Sequence, residues 1–239
     1  MDVKVMKFGG TSLSDRQARQ AAYRHVQREL KAGKVLVVVS AMGRCPEPYA
    51  TDTLLKLGSP LLSPQEKARL LSLGELLSSL RVSGELLEAG IDAYALPIHQ
   101  SGIITDSRYD YAHVCALHAQ GVQEALAQHE AVVACGFIAN DEQGNVTTLG
   151  RGGSDFSAVL FAQMLQLPEV DIYTDVDAVY SVDPRVDPTA FRHERLSYEE
   201  MLRLHSRVLH ERCVRYARAH QIRIHLRGTF SDAQGTLIS

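Results

Sequence analysis

Short apolar runs recur along the chain, and most of them do not alternate with polar residues. Residues 34–40 read KVLVVVS and residues 131–138 read AVVACGFI, a pattern typical of strands that are buried on both faces. Turn-forming residues at 140–145 predict an antiparallel hairpin. Further strands are predicted by shorter apolar runs at residues 3–6, 91–97, 170–174, 222–226 and 236–238.

The stretches between these strands predict helices, because their ends carry residues that favour helix termini. Ser14 is the predicted N-cap of a helix that Gly33 ends, and Ser63 precedes a leucine-rich helix that Gly90 ends. The other helices are predicted at residues 109–129, at residues 154–167 and, as two helices, at residues 196–220. Strands that alternate with helices predict an α/β fold with one doubly wound, mainly parallel sheet, in a single domain spanning residues 1–239.

Three segments predict a site for anions. KFGGTS at residues 7–12 and GRGGSD at residues 150–155 each follow an apolar run and precede a helical stretch, and each contains a cation, Lys7 or Arg151. We name them the first and second glycine turns. Glycine has no Cβ, so backbone N–H groups in such turns can approach phosphate oxygens closely. The third segment, TDVDAVYSVDPR at residues 174–185, is named the aspartate-rich segment. Two cationic glycine turns indicate that two charged reactants are brought together.

The composition excludes several function classes. The chain carries 25 lysines and arginines against 28 aspartates and glutamates, for a formal net charge of −3, so no nucleic-acid partner is expected. No apolar run approaches the ~18 residues of a membrane span, and the N-terminus lacks a secretory leader pattern, so no membrane partner and a cytoplasmic location are expected. The arginines between Arg185 and Arg227 are open to two interpretations, solvated helix faces or contacts to nucleotide phosphates.

Known motifs narrow the chemistry further. The sequence has no GxxxxGK[ST] phosphate loop, no GxGxxG dinucleotide fingerprint, and no HExxH, GxSxG or HRD motif. The four cysteines form no CxxC pair, so reduced and mostly buried thiols are expected, and the ten histidines lack the spacing of metal ligands. A phosphate-handling protein without these motifs requires another scaffold.

Together the three segments resemble the aspartate kinase branch of the amino acid kinase family, and the resemblance extends over essentially the whole chain. Matching segments follow in the family's order: VVVSAMG at residues 37–43, YATDTLL at 49–55, GE at 74–75, the second glycine turn, the aspartate-rich segment, LSYEEM at 196–201 and GTLI at 235–238. The resemblance implies the amino-acid-kinase-like fold, a three-layer αβα sandwich around a central, mainly parallel sheet.

The resemblance also implies an ATP-dependent kinase that phosphorylates the side-chain carboxylate of L-aspartate, the first step toward lysine, threonine and methionine. Lys7 and Asp155 are the implied catalytic residues, the first neutralising the transferring phosphoryl group and the second orienting Lys7. Mg²⁺ would accompany ATP, held mainly by the phosphates, with no dedicated protein metal site. The implied acceptor-binding residues are Ser40, Thr51, Glu75, Arg151 and Ser154. The implied nucleotide-binding residues are Lys7, Phe8, Gly9, Gly10, Thr174, Asp175, Tyr180, Asp183, Pro184, Arg185 and Arg207.

Several alternatives stay open at this point. Taken alone, Asp155 also suits a helix N-cap, and Glu75 also suits a solvated helix face. The chemistry could act on another acidic amino acid or analogue in a dedicated pathway, or the chain could be a nucleotide-binding, non-catalytic subunit of a partner kinase.

The resemblance implies a homodimer formed through the kinase domain. We expect the protein to lack the family's C-terminal ACT modules, in which case feedback inhibition would need a separate ACT-bearing regulatory chain. The chain departs from the family pattern in the short segment 204–210, at residues 138–139, at Ala178 and at Glu211. These departures point to a shifted substrate, weaker activity or a pathway-dedicated variant.

Overall fold

The computed structural model describes residues 2–182, 186–187, 189–204 and 208–239. Its strands, in chain order, are β1 (Val3–Phe8), β2 (Lys34–Val39), β3 (Ala93–Ala95), β4 (Ile103–Thr105), β5 (Val114–Leu117), β6 (Ala131–Cys135), β7 (Ile138–Asp141), β8 (Val146–Thr148), β9 (Glu169–Thr174), β10 (Val179–Tyr180), β11 (Arg192–His193), β12 (Arg195–Leu196), β13 (Arg223–Gly228) and β14 (Thr236–Ile238). Its α-helices are α1 (Arg16–Leu30), α2 (Thr51–Leu57), α3 (Pro64–Glu88), α4 (Gln120–Gln128), α5 (Gly153–Met164), α6 (Tyr198–Arg203) and α7 (Glu211–Ala219). Short 3₁₀ turns lie at Thr11–Leu13 and Ile98–Gln100.

Within the described residues, eight strands form the central sheet, in the order β12-β14-β13-β9-β1-β2-β6-β3. All neighbouring pairs in it are parallel except β13 and β14. The predicted apolar runs form the middle of this sheet. Residues 35–39 of β2 are fully buried, as expected for a strand that is covered on both faces.

Two hydrophobic cores lie on opposite faces of the central sheet. One contains side chains of α4, α5, α6 and α7, with Leu160 and Phe161 of α5 fully buried. The other contains side chains of α1 and α3, and in it the rings of Phe8 and Tyr173 stack with centroids 4.8 Å apart. This layering confirms the predicted αβα sandwich with a central, mainly parallel sheet.

The carboxyl ends of β1, β2 and β9 lie side by side. The parallel register pairs Lys7 near the end of β1 with Val38 of β2 on one side and Ile172 of β9 on the other. The first glycine turn begins in the last residues of β1 and the aspartate-rich segment begins at the last residue of β9, so both leave the sheet at one edge. In open α/β sheets, ligands bind in the crevice at this edge.

The prediction of a single sheet is wrong. Within the described residues, β5, β4, β7 and β8 form a separate four-stranded sheet in that order. The hairpin predicted at residues 140–145 is confirmed between β7 and β8, but it belongs to this second sheet. The helix predicted at residues 109–129 is wrong over its first half, because Val114–Leu117 pairs with β4 as a strand and helix α4 begins only at Gln120.

The ends of two predicted helices are defined by their caps. Asp15, and not Ser14, caps α1, since its carboxylate accepts a hydrogen bond from the Ala18 N–H at 2.9 Å. The predicted start of α3 is confirmed, and it carries a complete capping box in which Ser63 and Glu66 satisfy each other's backbone N–H groups.

The expectation that the cysteines are mostly buried has a mixed outcome. Cys135 and Cys213 are buried, whereas Cys45 and Cys115 are exposed, so the expected burial holds for half of the cysteines. Among the described residues, no helix combines the length and apolar character needed to cross a bilayer.

Candidate active site

The two glycine turns meet at an ion pair. Lys7 is the first residue of the first glycine turn and lies near the end of β1, and Asp155 is the last residue of the second glycine turn and lies in the first turn of α5. The Lys7 Nζ is 2.5 Å from Asp155 Oδ1, and the two side chains are only 9% and 12% exposed. An ammonium is thereby held in place at the carboxyl edge of the central sheet.

The first glycine turn forms one wall of a cleft of about 700 Å³. A Cβ on Gly10 would lie 2.6 Å from the carbonyl oxygens of both Ala41 and Gly43, so only glycine fits there. The cleft wall includes these predicted site residues: Lys7, Gly9, Gly10, Ser40, Thr174, Asp175 and Tyr180. The Phe8 side chain is buried in the core, which leaves only its backbone near the cleft.

Residues of the aspartate-rich segment also line this cleft. The Tyr180 hydroxyl donates to Asp177 Oδ1 at 2.9 Å, and a Cβ on Gly228 would lie 2.8 Å from the Asp177 Cα, so the segment packs closely on the end of β13. Asp175 pairs with Arg44 at 3.3 Å at the cleft surface. Four predicted nucleotide-binding residues lie outside the described residues: Asp183, Pro184, Arg185 and Arg207.

The second glycine turn borders another cavity of about 630 Å³, whose wall includes Arg151 and Asp155. Gly150 and Gly152 have φ angles of 74° and 71°, and a Cβ on Gly152 would lie 2.2 Å from the Cβ of His210. Arg151 is exposed, and within the described part of the chain it has no hydrogen bond or ion pair. Its planar guanidinium is therefore available for an anion that enters this cavity.

Glu75 is buried, so the interpretation of it as a solvated helix residue is wrong. It is 2% exposed, and its Oε1 accepts a hydrogen bond from the Ala41 N–H at 3.2 Å. Oε2 has no hydrogen-bond partner among the described residues. Burial raises the pKa of Glu75 to about 8. A buried carboxyl with one unused oxygen can receive a cationic group.

The three predicted hydroxyl residues occupy different positions. Ser40 follows β2, and its N–H donates to the Phe8 carbonyl at 3.2 Å. Ser154 lies against Gly136, where an added Cβ would be 2.8 Å from the Ser154 Cβ. Thr51 begins α2, and neither it nor Glu75 contributes to the walls of the two cavities described above.

Phe137, which lies against the second glycine turn, has a strained backbone conformation. Phe137 has a φ of 64°, and the Ile138 N–H donates to the Gly136 carbonyl at 2.7 Å, which is the hydrogen-bond pattern of a γ-turn. A Cβ on Gly153 would lie 2.9 Å from the Phe137 ring. The turn also divides the predicted strand at residues 131–138 into β6 and β7. Backbone strain of this kind is concentrated at functional sites, where the surrounding structure holds the residue in place.

Arg212 holds the second glycine turn from the side of α7. Its guanidinium donates to the carbonyls of Leu149 and Ala112, each at 2.8 Å, and lies between the rings of Tyr111 and Phe156 at 4.7 and 4.3 Å from their centroids. Sequence reasoning missed this residue, because it is one of many arginines near the C-terminus. We infer that Arg212 positions Arg151.

Replacement of Arg212 by methionine should therefore weaken binding of an anion that enters the cavity beside Arg151. We expect a roughly 10- to 100-fold increase in the dissociation constant of that anion, because small displacements of a binding group have effects of this size. The affinity of a ligand for the 700 Å³ cleft should stay unchanged. Arg215→Met is the matched control, since Arg215 is exposed on the same helix and, among the described residues, pairs with Glu211. Equal dissociation constants in the two variants would contradict the inference.

Comparisons with known proteins identify the family of this chain. The sequence matches the Amino acid kinase family over residues 2–228. It is 39% identical to aspartokinase 1 of Bacillus subtilis and 38% identical to an aspartokinase of Thermus thermophilus, with 100% of this chain covered, and it spans 61% and 59% of their lengths. It is 27% identical to E. coli aspartokinase III, solved in complex with aspartate and ADP, with a TM-score of 0.81 over 99% of this chain and 64% of that chain. The chain belongs to the amino acid kinase family.

Proposed function

We propose that this domain transfers the γ-phosphoryl group of ATP to the side-chain carboxylate of L-aspartate, giving 4-phospho-L-aspartate and ADP. The observation that carries the proposal is the buried Lys7–Asp155 pair, whose two members line two different cavities. The similarity to aspartokinases and to an aspartokinase that binds aspartate and ADP supports this choice of reactants.

In the proposed reaction, a carboxylate oxygen of aspartate forms a bond to the γ-phosphorus while the bond between that phosphorus and the β,γ-bridging oxygen breaks. ADP leaves with the electron pair. No general base is needed, because the attacking carboxylate is already ionised. Catalysis then consists of positioning two anions and neutralising the charge between them.

Lys7 is the proposed source of that neutralisation. Its Nζ would contact the transferring phosphoryl oxygens, and Asp155 would keep the ammonium at the junction between the two reactants. Gly9 leaves space beside this ammonium, since an added Cβ would lie 3.5 Å from the Lys7 Nζ. Phosphates in the cleft would also receive backbone N–H groups of the first glycine turn.

Mg²⁺ fits this site as a part of the ATP substrate. Among the described residues, no three His, Cys, Asp or Glu side chains come together as a metal-binding group. A small divalent ion that keeps phosphate and water ligands needs only one or two carboxylates. Asp175 lines the cleft proposed for the phosphates, and Asp155 pairs with Lys7 of the same cleft. When bound, the ion would reduce the negative charge of the phosphates.

The amino acid head group requires one cation and one anion. We propose that Arg151 binds its α-carboxylate and that Glu75 accepts its ammonium, with hydroxyls from Ser40, Thr51 and Ser154. Among the described residues, the exposed Arg151 guanidinium has no ion pair and the buried Glu75 carboxyl has one oxygen without a hydrogen bond, and both observations support these roles. Thr174, Asp175 and Tyr180 would surround the nucleotide in the cleft.

The proposal is tested by incubating the purified protein with ATP, Mg²⁺ and candidate acceptors. With aspartate we expect ADP release and an acyl phosphate that hydroxylamine traps as a hydroxamate. If a product forms only with glutamate or with a sulfonate or phosphonate analogue, aspartate is not the acceptor, and the same reaction acts on that compound. Nucleotide binding without turnover on any acceptor would overturn it in favour of a non-catalytic subunit.

Arg151→Met should raise the KM for aspartate by roughly 10- to 100-fold, because a hydrogen-bonded charge contributes about 1.5–3 kcal/mol. The KM for ATP should change little. Arg108→Met serves as the control, since Arg108 is 69% exposed and pairs with Asp106 away from both cavities. An unaltered KM for aspartate in the Arg151 variant would refute the assignment.

A further inference from the structure

Arg44 is a cation of the 700 Å³ cleft to which the proposed reaction assigns no role. Among the described residues, Lys7 and Arg44 are the cations that line this cleft. Lys7 is held by the buried Asp155, whereas the Arg44 Nη2 is 3.3 Å from Asp175 Oδ2, with side chains 73% and 40% exposed. Exposed ion pairs contribute little to stability, so Arg44 can exchange its partner at low cost.

The backbone at Arg44 is fixed beside the first glycine turn. The Gly43 N–H donates to the Gly10 carbonyl at 2.9 Å, and the Glu47 N–H donates to the Arg44 carbonyl at 2.8 Å. A Cβ on Gly10 would lie 2.6 Å from the Gly43 carbonyl oxygen, so the two segments are in direct contact. The Arg44 side chain therefore starts next to the backbone that is proposed to bind phosphates.

The Arg44–Asp175 pair crosses the carboxyl end of β1. Arg44 follows β2 and Asp175 follows β9, and β1 lies between these two strands in the central sheet. Lys7 and the first glycine turn lie at that end of β1. The Asp175 carboxylate is oriented by Thr174, whose hydroxyl donates to Oδ1 at 3.0 Å. Its other oxygen thus occupies, at the Arg44 guanidinium, the position of an anionic ligand.

The charges that line the cleft cancel in this arrangement. Among the described lining residues, Lys7 and Arg44 are positive, and Asp175 and Asp177 are negative. A triphosphate is stabilised by an excess of positive charge, which Arg44 supplies when it turns from Asp175 to a phosphate. The Arg44 side chain makes one hydrogen bond among the described residues, so most of its N–H donors are free for the fork-like contacts that guanidinium groups make with phosphates.

We propose that Arg44 is a further nucleotide-binding residue, whose guanidinium exchanges the Asp175 carboxylate for a phosphate when the nucleotide enters the cleft. The inference rests on the proposed function, since it takes ATP as the ligand of this cleft. The contact forms with the bound nucleotide before transfer, so Arg44 contributes to nucleotide affinity and not to the rate of transfer. This separates its role from that of Lys7.

The first test measures nucleotide affinity by calorimetry, with a non-hydrolysable ATP analogue and Mg²⁺ but without an acceptor. In Arg44→Met the dissociation constant should rise roughly tenfold, the lower end of the effect of a hydrogen-bonded charge, because the pair is exposed. Adenosine, which has no phosphate, should bind equally to the wild type and the variant. Arg218→Met is the matched control, since the exposed Arg218 pairs with Glu199 at 3.0 Å and lines neither cavity. Equal or tighter binding of the analogue to Arg44→Met would overturn the proposal, as would an equal loss of adenosine affinity.

The second test detects the exchange of partners. Asp175→Asn removes the carboxylate that competes with the phosphate for Arg44. The loss of affinity caused by Arg44→Met should therefore be about two- to fivefold larger in that background, the effect of breaking an exposed ion pair. An equal loss in both backgrounds would show that Arg44 does not exchange its partner, which overturns the proposal.

The same titrations keep the role of Arg44 separate from the proposed function. A wild-type protein that binds the analogue more tightly than Arg44→Met, but transfers no phosphoryl group to any acceptor, would overturn the proposed function and leave Arg44 as a nucleotide-binding residue. A wild-type protein that binds neither the analogue nor adenosine would overturn both.

Discussion

Replacing Lys7 by methionine is expected to lower kcat for phosphoryl transfer by roughly 10²- to 10³-fold, the effect of removing one preorganised charge stabiliser. Methionine keeps the length of the side chain but removes its charge. The 2.5 Å contact with Asp155 is lost at the same time, which leaves a buried carboxylate without its partner. Breaking a buried pair in this way costs about 3–5 kcal/mol of folding stability.

A double variant separates the chemical effect from the structural one. Lys7→Met combined with Asp155→Asn removes both charges, so the free energy of unfolding should recover most of what the single variant loses. The transfer rate should stay low, because the phosphoryl group still meets no ammonium. Rate measurements on both variants, each with a denaturation curve, check this. A double variant with the wild-type kcat would remove Lys7 from the mechanism.

Replacing Glu75 by glutamine is expected to stabilise the fold and to weaken acceptor binding. Burial raises the pKa of Glu75 to about 8 in the folded state, above its ordinary value of 4.5. The protonated carboxyl therefore contributes stability that is complete below pH 4.5 and is lost as the pH rises through about 8. Glutamine never ionises, so its variant should gain on the wild type over this range, by on the order of 5 kcal/mol at the upper end. Denaturation curves at several pH values measure this difference, and a constant difference would contradict it.

Acceptor binding gives the second readout of the same substitution. An ammonium binds the ionised carboxyl, so in the wild type the KM for aspartate should fall about tenfold per pH unit until the pH reaches the pKa of Glu75, about 8. Binding below that pH should release a proton, which calorimetry in buffers of different ionisation enthalpy detects. In Glu75→Gln the KM should be high and independent of pH. A wild-type KM that does not change with pH would refute the role of Glu75.

The hydrophobic pattern predicts the middle of the fold well because burial on both faces has a direct signature. Continuous runs such as KVLVVV in β2 can be stable only inside a covered sheet. The four residues of β5 are partly exposed and carry no such signature, so their place within a predicted helix was wrong. An apolar run does not indicate which sheet its strand joins, so the sequence did not predict the second sheet.

Helix α3 shows a different limit of sequence reasoning. Leucines alternate with serines and glycines around the whole helix, so no single face is distinctly apolar. The structure buries four serines and leaves four leucines exposed, namely Ser72, Ser78, Ser79 and Ser83 against Leu73, Leu77, Leu80 and Leu87, whereas Leu86 is fully buried. The buried position of Glu75 follows from the same packing, since Gly74 lies against the backbone of Tyr49.

The candidate site could be anticipated where residue type alone restricts the structure. Glycines at positions 9, 10, 150 and 152 and the cations beside them stood out in the sequence, and the structure brings both turns to one ion pair. The residues that contact the second glycine turn could not be predicted from the sequence. Arg212 acts through carbonyl groups distant in sequence, and Phe137 adopts a positive φ that its residue type disfavours.

In the proposed reaction, the Lys7 ammonium joins a triphosphate in one cavity to an acid in the other. A crystal structure with a non-hydrolysable ATP analogue, Mg²⁺ and aspartate tests this role of Lys7. We expect the γ-phosphate within hydrogen-bond distance of the Lys7 Nζ, and the aspartate side chain approaching that phosphorus from the side opposite the bridging atom. A Lys7 ammonium that contacts neither reactant, with the two bound in cavities that do not meet, would contradict the claim.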